Sequence, residues 1–260
     1  MIRYARTALR SGLLSLSAEL EYRANFALAM LGAVLGMAGN LFALSLFYQG
    51  DYQPGGWPIE HALLLAGVFT ALRGLLSAWL MPNLRMLFRD VQMGTLDFVL
   101  LRPLDSQFLV SFRRLATGGL PDVVLGLGLM VYAGWQVGLR VEGVLLAVPA
   151  MVAGVCMMYA VWFAVGTSSI WLVKVSNFHE ALHSLLEAGR YPMSAYPAVH
   201  RFIFTFLLPV AFMTTVPAET LLGRTGGGPV LLSLAVSLVL LGGSRWFWRR
   251  ALRSYTGASA

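Results

Sequence analysis

The chain has 260 residues, of which 58% are hydrophobic and 12% charged, and a formal net charge of +7. Soluble domains carry about 25% charged residues, so this composition excludes an ordinary soluble fold. Lys174 is the lone lysine, and the arginines fall in the gaps between apolar runs, a pattern of membrane orientation and not of nucleic-acid binding.

Residues 1–23 read as an amphipathic surface helix. Ile2, Ala5, Leu9, Leu13, Leu16 and Leu20 recur at spacings of three and four, with Arg3, Arg6 and Arg10 one step round the helix. The first apolar run starts after Arg23 and has no small-residue cleavage site behind a short core, so no cleavable signal is expected.

A crossing needs about 20 apolar residues. Runs near 24–48, 60–81, 120–139, 143–172 and 228–248 qualify, and a sixth crossing falls within 175–222. The expected fold is all-α: one polytopic helical membrane domain over 1–260, with the surface helix, six spans and both termini cytoplasmic. In that orientation nearly every basic residue lies inside, with Arg140 and Arg224 outside and Arg73 within a span.

The loop after the first span holds Asp51 and no base, with Tyr52 and Trp57 as interface aromatics. Arg73 sits near the middle of the second span. A charge there costs about 2.5–3.5 kcal/mol, so it must face protein or water. It lines a path or joins an intramembrane ion pair, with Glu187 and Glu219 as candidate partners and Arg190 as a second cation.

Residues 82–119 interrupt the apolar pattern with Arg85, Arg89, Arg102, Arg113, Arg114, Asp90, Asp97 and Asp105. Leu84, Leu87, Phe88 and Val91 follow helical spacing, and Gly94 suits a helix C-terminus. Thr95 is a candidate N-cap for a short helix that Pro103 ends, and Asp105 or Ser106 for a third helix carrying Phe108 and Phe112. Two or three short helices lying against the membrane make a docking surface for a partner.

Cys156 is the lone cysteine, so no intramolecular disulfide forms. After Lys174 two readings compete. Hydropathy selects 202–222 as the fifth crossing, yet that run contains Pro209, Pro217 and Glu219, which suit a re-entrant segment. If 176–194 crosses instead, Arg190 and Arg201 move outside.

His179-Glu180-Ala181-Leu182-His183 matches HExxH, which on a helix puts two histidines on one face for zinc and a glutamate to activate water. No third-ligand signature accompanies it, so an intramembrane zinc protease stands as an alternative and no metal is expected. The chain has no GxxxxGK[ST] phosphate loop, since Val175 follows the lysine, and no GxSxG nucleophile elbow. It is not expected to be an enzyme, and if it transports, the energy must come from another subunit. A non-transporting membrane scaffold is the remaining alternative.

Three stretches carry a resemblance: AELEYRANFALAMLG, GTLDFVLLRPLDSQFLVSFRR, and NFHEALHSLLEAGRYPMSAYPAVHRFIFTFLLPVAFMTTVPAETLLG. They are similar to the permease subunits of type-2 ABC exporters, in a bacterial branch, over essentially the full length. The resemblance implies a multi-pass protein of the bacterial inner membrane, paired with a second permease as homodimer or heterodimer. It implies a separate ATP-binding subunit that holds ATP and magnesium, with no cofactor on this chain and membrane lipid around it. It also implies 176–194 as the fifth span, 197–222 as an external re-entrant element, and a coupling segment from Gly94 through Thr95, Pro103 and Gln107. Within it Asp97, Arg102 and Asp105 are candidate polar contacts, and Leu96, Phe98 and Phe108 candidate apolar ones. The exported substrate is unidentified; abundant apolar surface favours a hydrophobic or amphipathic molecule.

Overall fold

The computed structural model describes residues 23–49, 53–172, 182 and 184–255. The surface helix expected over 1–23 falls, apart from Arg23, outside the described residues, as do His179, Glu180 and His183. Those described are helical with no β-strand among them. This is the expected outcome where backbone groups can find no water and must be satisfied within each segment.

Five helices are long and apolar enough to cross a membrane. They are α1 (Arg23–Phe47), α2 (Ile59–Gln92), α5 (Leu120–Val137), α6 (Val141–Thr167) and α10 (Gly227–Leu252). Two short helices, α3 (Asp97–Leu100) and α4 (Ser106–Ser111), lie between α2 and α5. Between α6 and α10 come α7 (Ala198–Phe202), α8 (Val210–Met213) and α9 (Thr215–Leu221). Here Ala198–Phe206 and Val210–Leu221 form a pair bent by 69°.

The sequence suggests a second span ending at residue 81 and a separate helix beyond it; the chain instead makes one helix of 34 residues. Pro82 has no N–H for the carbonyl of Ala78. The turn Leu76–Leu80 widens to π geometry, and the Ala116 N–H takes the Ala78 carbonyl at 2.7 Å. With that bond supplied from the linker, the proline bends nothing into a break. At 1.5 Å per residue α2 is about 50 Å long, against a hydrocarbon core of about 30 Å. It is therefore about 20 Å longer than a crossing needs, and its last turns carry Arg85, Arg89 and Asp90.

α5 packs antiparallel on α2 through a seam of small residues. A methyl group built on Gly126 would lie 2.4 Å from the Ala71 nitrogen, and one on Gly74 would lie 2.5 Å from the Val123 nitrogen. Close backbone approach of this kind is how membrane helices gain packing where lipid removes the hydrophobic drive. The core between α2, α6 and the short helices holds Leu64, Phe69, Leu84, Leu87, Met157, Phe163 and Trp248, all buried. Large apolar side chains of α1, α5 and α10 face outward, among them Leu35, Val131 and Val239, as lipid-facing surfaces do.

The bundle has two distinct ends. At one, the Tyr48 hydroxyl donates to the Trp57 carbonyl at 3.0 Å, the Ser194 hydroxyl donates to Gly55 at 3.1 Å, and Phe47 meets Tyr191 edge-on. The Arg224 guanidinium lies 4.8 Å above the Trp57 ring. At the other end lie α3, α4 and the contact of Trp171 with Phe247, ring centres 5.4 Å apart. α8 and α9 run along α6: a methyl on Gly154 would meet the Met213 carbonyl at 2.9 Å, and one on Gly143 the Leu221 carbonyl at 2.7 Å.

Candidate functional site: the polar loop and its scaffold

The polar loop is built on Asn83, a buried residue of α2 just past Pro82. Its carboxamide oxygen accepts the N–H groups of Arg113 and Arg114 at 2.9 and 3.0 Å. Its amide nitrogen donates to the carbonyls of Trp79 and Arg114 at 2.6 and 2.7 Å. All the hydrogen-bonding capacity of the side chain is used, so the exit of the loop is clamped to the helix at its entry. The indole of Trp79 adds a 2.8 Å bond to the Ser111 carbonyl.

The helix end expected near Gly94 is there, as the end of the continuous α2. Gly94 takes a positive φ of 68°, the left-handed conformation that a glycine adopts at least cost. Thr95, expected as an N-cap, does something else. Its hydroxyl donates to the Asp90 carboxylate at 3.1 Å while its own N–H donates to the Asp90 carbonyl at 2.9 Å. Asp90 also receives Arg113 at 2.5 Å, so one carboxylate ties the helix end, the turn and the loop exit together.

Asp105 caps α4 by accepting the Phe108 N–H at 3.0 Å. The same carboxylate receives both terminal nitrogens of Arg245 from α10, one of them at 2.9 Å. Burial alone would raise this carboxyl's pKa, but the Arg245 and Phe108 hydrogen bonds and the Arg245 charge outweigh it and hold it below the ordinary carboxylate value. Arg245 also donates to Gln107 at 3.1 Å, and the Trp248 indole donates to Ser106 at 3.0 Å. Gln107 and Ser111 share the Tyr159 hydroxyl of α6 at 3.1 and 2.9 Å. Tyr159 stacks on Trp79 with ring centres 5.6 Å apart. The loop is thus bonded to α2, α6 and α10 at once.

This network revises several contact expectations. Leu96 is fully buried, holding α3 down with Val99; it is core and not surface. Asp105 is engaged by Arg245 and Gln107 is buried, so both serve the scaffold. Phe108 stacks on Phe112 with centres 5.0 Å apart. What projects is Phe98, 69% exposed, with Arg102 and Pro103, and Asp97 half-exposed beside them. Met93 and Leu101, 68% and 80% exposed, complete this apolar tip. Sequence reasoning missed both, because neither belongs to a periodic stripe.

Arg73 is also reassigned. Its partner is Asp122 in the first turn of α5, at 3.2 Å, and neither Glu187 nor Glu219. Glu187 instead pairs with Arg190, whose guanidinium lies 5.5 Å from the centre of the Phe69 ring. Glu219 sits apart on α9. Among the described residues no group of three or more His, Cys, Asp or Glu could hold a metal.

No curated protein and no solved structure matches the chain in the comparisons made. A family model described as ABC-2 family transporter protein matches residues 34–259. Matched over most of its length and built of helices long and apolar enough to span, the chain belongs to the ABC-2 transporter family, as a permease.

Proposed function

We propose that the chain is the membrane-spanning subunit of an ATP-driven exporter, and that a separate ATP-binding subunit docks on the tip formed by Met93, Phe98, Leu101, Arg102 and Pro103. The observation that carries this reading is apolar side chains standing out from the end of the bundle where arginine concentrates. On the positive-inside rule that end is cytoplasmic, and exposed apolar groups in water mark a protein contact. Leu96 and Val99 anchor the underside of α3, so the tip is held out on a rigid base.

In this reading the partner binds ATP with magnesium. When the ATP-binding subunits close, force on the tip passes through Gln107 and Ser111 to Tyr159 of α6, and through Asp105 to Arg245 of α10. Two permeases, identical or related, enclose the path, in a bacterial inner membrane with both termini inside. The direction is outward and the cargo hydrophobic or amphipathic. This reading takes 176–194 and not 202–222 as the fifth crossing; it is supported by Trp171 lying at the loop end and Tyr191 at the opposite end. Residues 197–222 are re-entrant: Ser194 and Leu221 lie at the outer end, while Met213 between them reaches Gly154, deeper along α6.

The test is purification of the tagged protein in mild detergent with mass spectrometry of co-purifying chains. An ATP-binding subunit should accompany the wild type and be lost from the doubly substituted Phe98→Asp, Leu101→Asp protein, with the variant still monodisperse. Asp97→Arg should uncouple ATP hydrolysis from transport without blocking insertion. Full recovery of the partner on the double variant, or no ATP-binding chain with the wild type, would reject this reading.

A further inference from the structure

Where α6 passes the loop, α2, α4 and α6 border a cavity of about 290 Å³. Trp79, Phe108, Phe112 and Tyr159 are among the side chains that line it, with Val155 and Cys156 on the α6 side. The rings form a run. Phe108 lies 5.0 Å from Phe112, Phe112 5.1 Å from Trp79, and Trp79 5.6 Å from Tyr159, centre to centre. Two of them are held by hydrogen bonds: the Trp79 indole to the Ser111 carbonyl, and the Tyr159 hydroxyl to Gln107 and Ser111. A wall fixed in advance spares a ligand the cost of ordering it.

What these residues offer a ligand is ring surface and not charge. Asp105 and Gln107 also reach the cavity, but their polar atoms are engaged. Both Asp105 oxygens accept from Arg245, one of them from the Phe108 N–H as well, and Gln107 bonds Tyr159 and Arg245. Val152 and Val148 lie one and two turns back along the same face of α6 and are 54% and 56% exposed. An apolar path therefore leads to the cavity along the flank of α6. A cavity of about 150 Å³ accepts one benzene ring, so this one has room for about two fused rings. An acyl chain would gain only from leaving water, whereas a flat ring gains also from stacked or edge-on contact with the ring wall.

We propose that this cavity binds a small planar aromatic molecule, seated against Trp79, Phe112 and Tyr159. Binding needs neither an ATP-binding subunit nor transport, so the site stands apart from the exporter reading. Tyr159 is at once a wall of the cavity and the contact of α6 with the loop. A bound ring therefore lies against the joint between the two.

The test uses the full-length protein in mild detergent, with its lone thiol, Cys156, as a reporter in the cavity wall. Methyl methanethiosulfonate, small and uncharged, modifies the thiol, and intact-mass spectrometry follows the rate with naphthalene or decalin present. Naphthalene should slow the modification. Decalin, saturated and of nearly the same size, should need about threefold to tenfold more for the same protection, the share that ring contact contributes. Phe112→Leu keeps apolar bulk but removes a ring, and should raise the naphthalene requirement by a similar factor. Trp171→Leu removes a ring that packs on Phe247 and should leave the requirement unchanged. Equal protection by naphthalene and decalin would mean a lipid-like apolar site and overturn the proposal. Modification that naphthalene does not slow would overturn it equally. So would a thiol that fails to react in the unliganded wild type, since the cavity would then be covered by a second copy or another chain.

Discussion

Arg245 and Asp105 are 140 residues apart in sequence, yet a paired guanidinium–carboxylate contact joins them where the last span meets the loop. Both ends of the contact have second duties: Asp105 caps α4, and Arg245 also bonds Gln107. The pair is therefore the point at which a displacement of the loop must move α10 or break a charged contact.

Asp105→Asn keeps a good N-cap and removes the charge. With about a third of each side chain exposed, the loss should be roughly 1–2 kcal/mol. A double-mutant cycle with Arg245→Gln should show coupling between the two sites. The sign of the pH effect follows from the lowered carboxyl. The pair's contribution is complete above the unfolded value of about 3.9 and is lost as pH falls through the lower folded value. Thermal unfolding of wild type and Asp105→Asn should therefore differ at neutral pH and converge in acid. A constant gap across that window would remove the bridge as its cause.

Asn83→Leu strands the Arg113 and Arg114 N–H groups and the Arg114 carbonyl, all of which it now satisfies. Each buried orphan costs about 1–3 kcal/mol, so this substitution should be among the most damaging in the loop. Hydrogen exchange at residues 111–116 should rise sharply before global unfolding changes. Unaltered exchange there would mean that the clamp is redundant.

The span pattern was legible because lipid leaves the backbone no alternative to helices, and runs such as 228–248 carry their length openly. The cap at Asp105 and the left-handed Gly94 were legible for a local reason, since each depends on a few neighbouring residues. The continuity of α2 past residue 81 was not legible, because the bond that takes up the Ala78 carbonyl comes from Ala116, beyond any local window. Leu96 misled likewise, since its burial is decided by what packs beneath α3. Asp122 reads in sequence as an acid favourable to a helix N-terminus, and nothing local connects it with Arg73, 49 residues away.

The α2–α5 seam gives a paired prediction. Gly126→Val forces branched bulk into a space where even a methyl carbon lies 2.4 Å from the Ala71 nitrogen. Backbones cannot give way cheaply, so the loss should be at least about 1–3 kcal/mol, with poor yield of monodisperse protein. Gly128→Ala, two residues along, meets nothing within 4 Å. It should be neutral or gain up to about 1 kcal/mol from helix propensity. Similar behaviour of the two variants in size-exclusion and thermal assays would contradict the seam.

The Arg73–Asp122 pair separates structure from transport. Both side chains are mostly buried, at 20% and 14% exposure. Arg73→Met alone leaves Asp122 as an uncompensated charge inside the bundle, at a cost of about 3–5 kcal/mol. Arg73→Met with Asp122→Leu removes both charges and should recover most of that loss, since an apolar pair of similar volume often replaces a buried bridge without penalty. Thermal stability of the two variants in detergent checks this. If the double variant is stable and still transports when reconstituted with the ATP-binding subunit of the proposed function, the pair is structural. If it is stable but inactive, Arg73 and Asp122 act on the path itself.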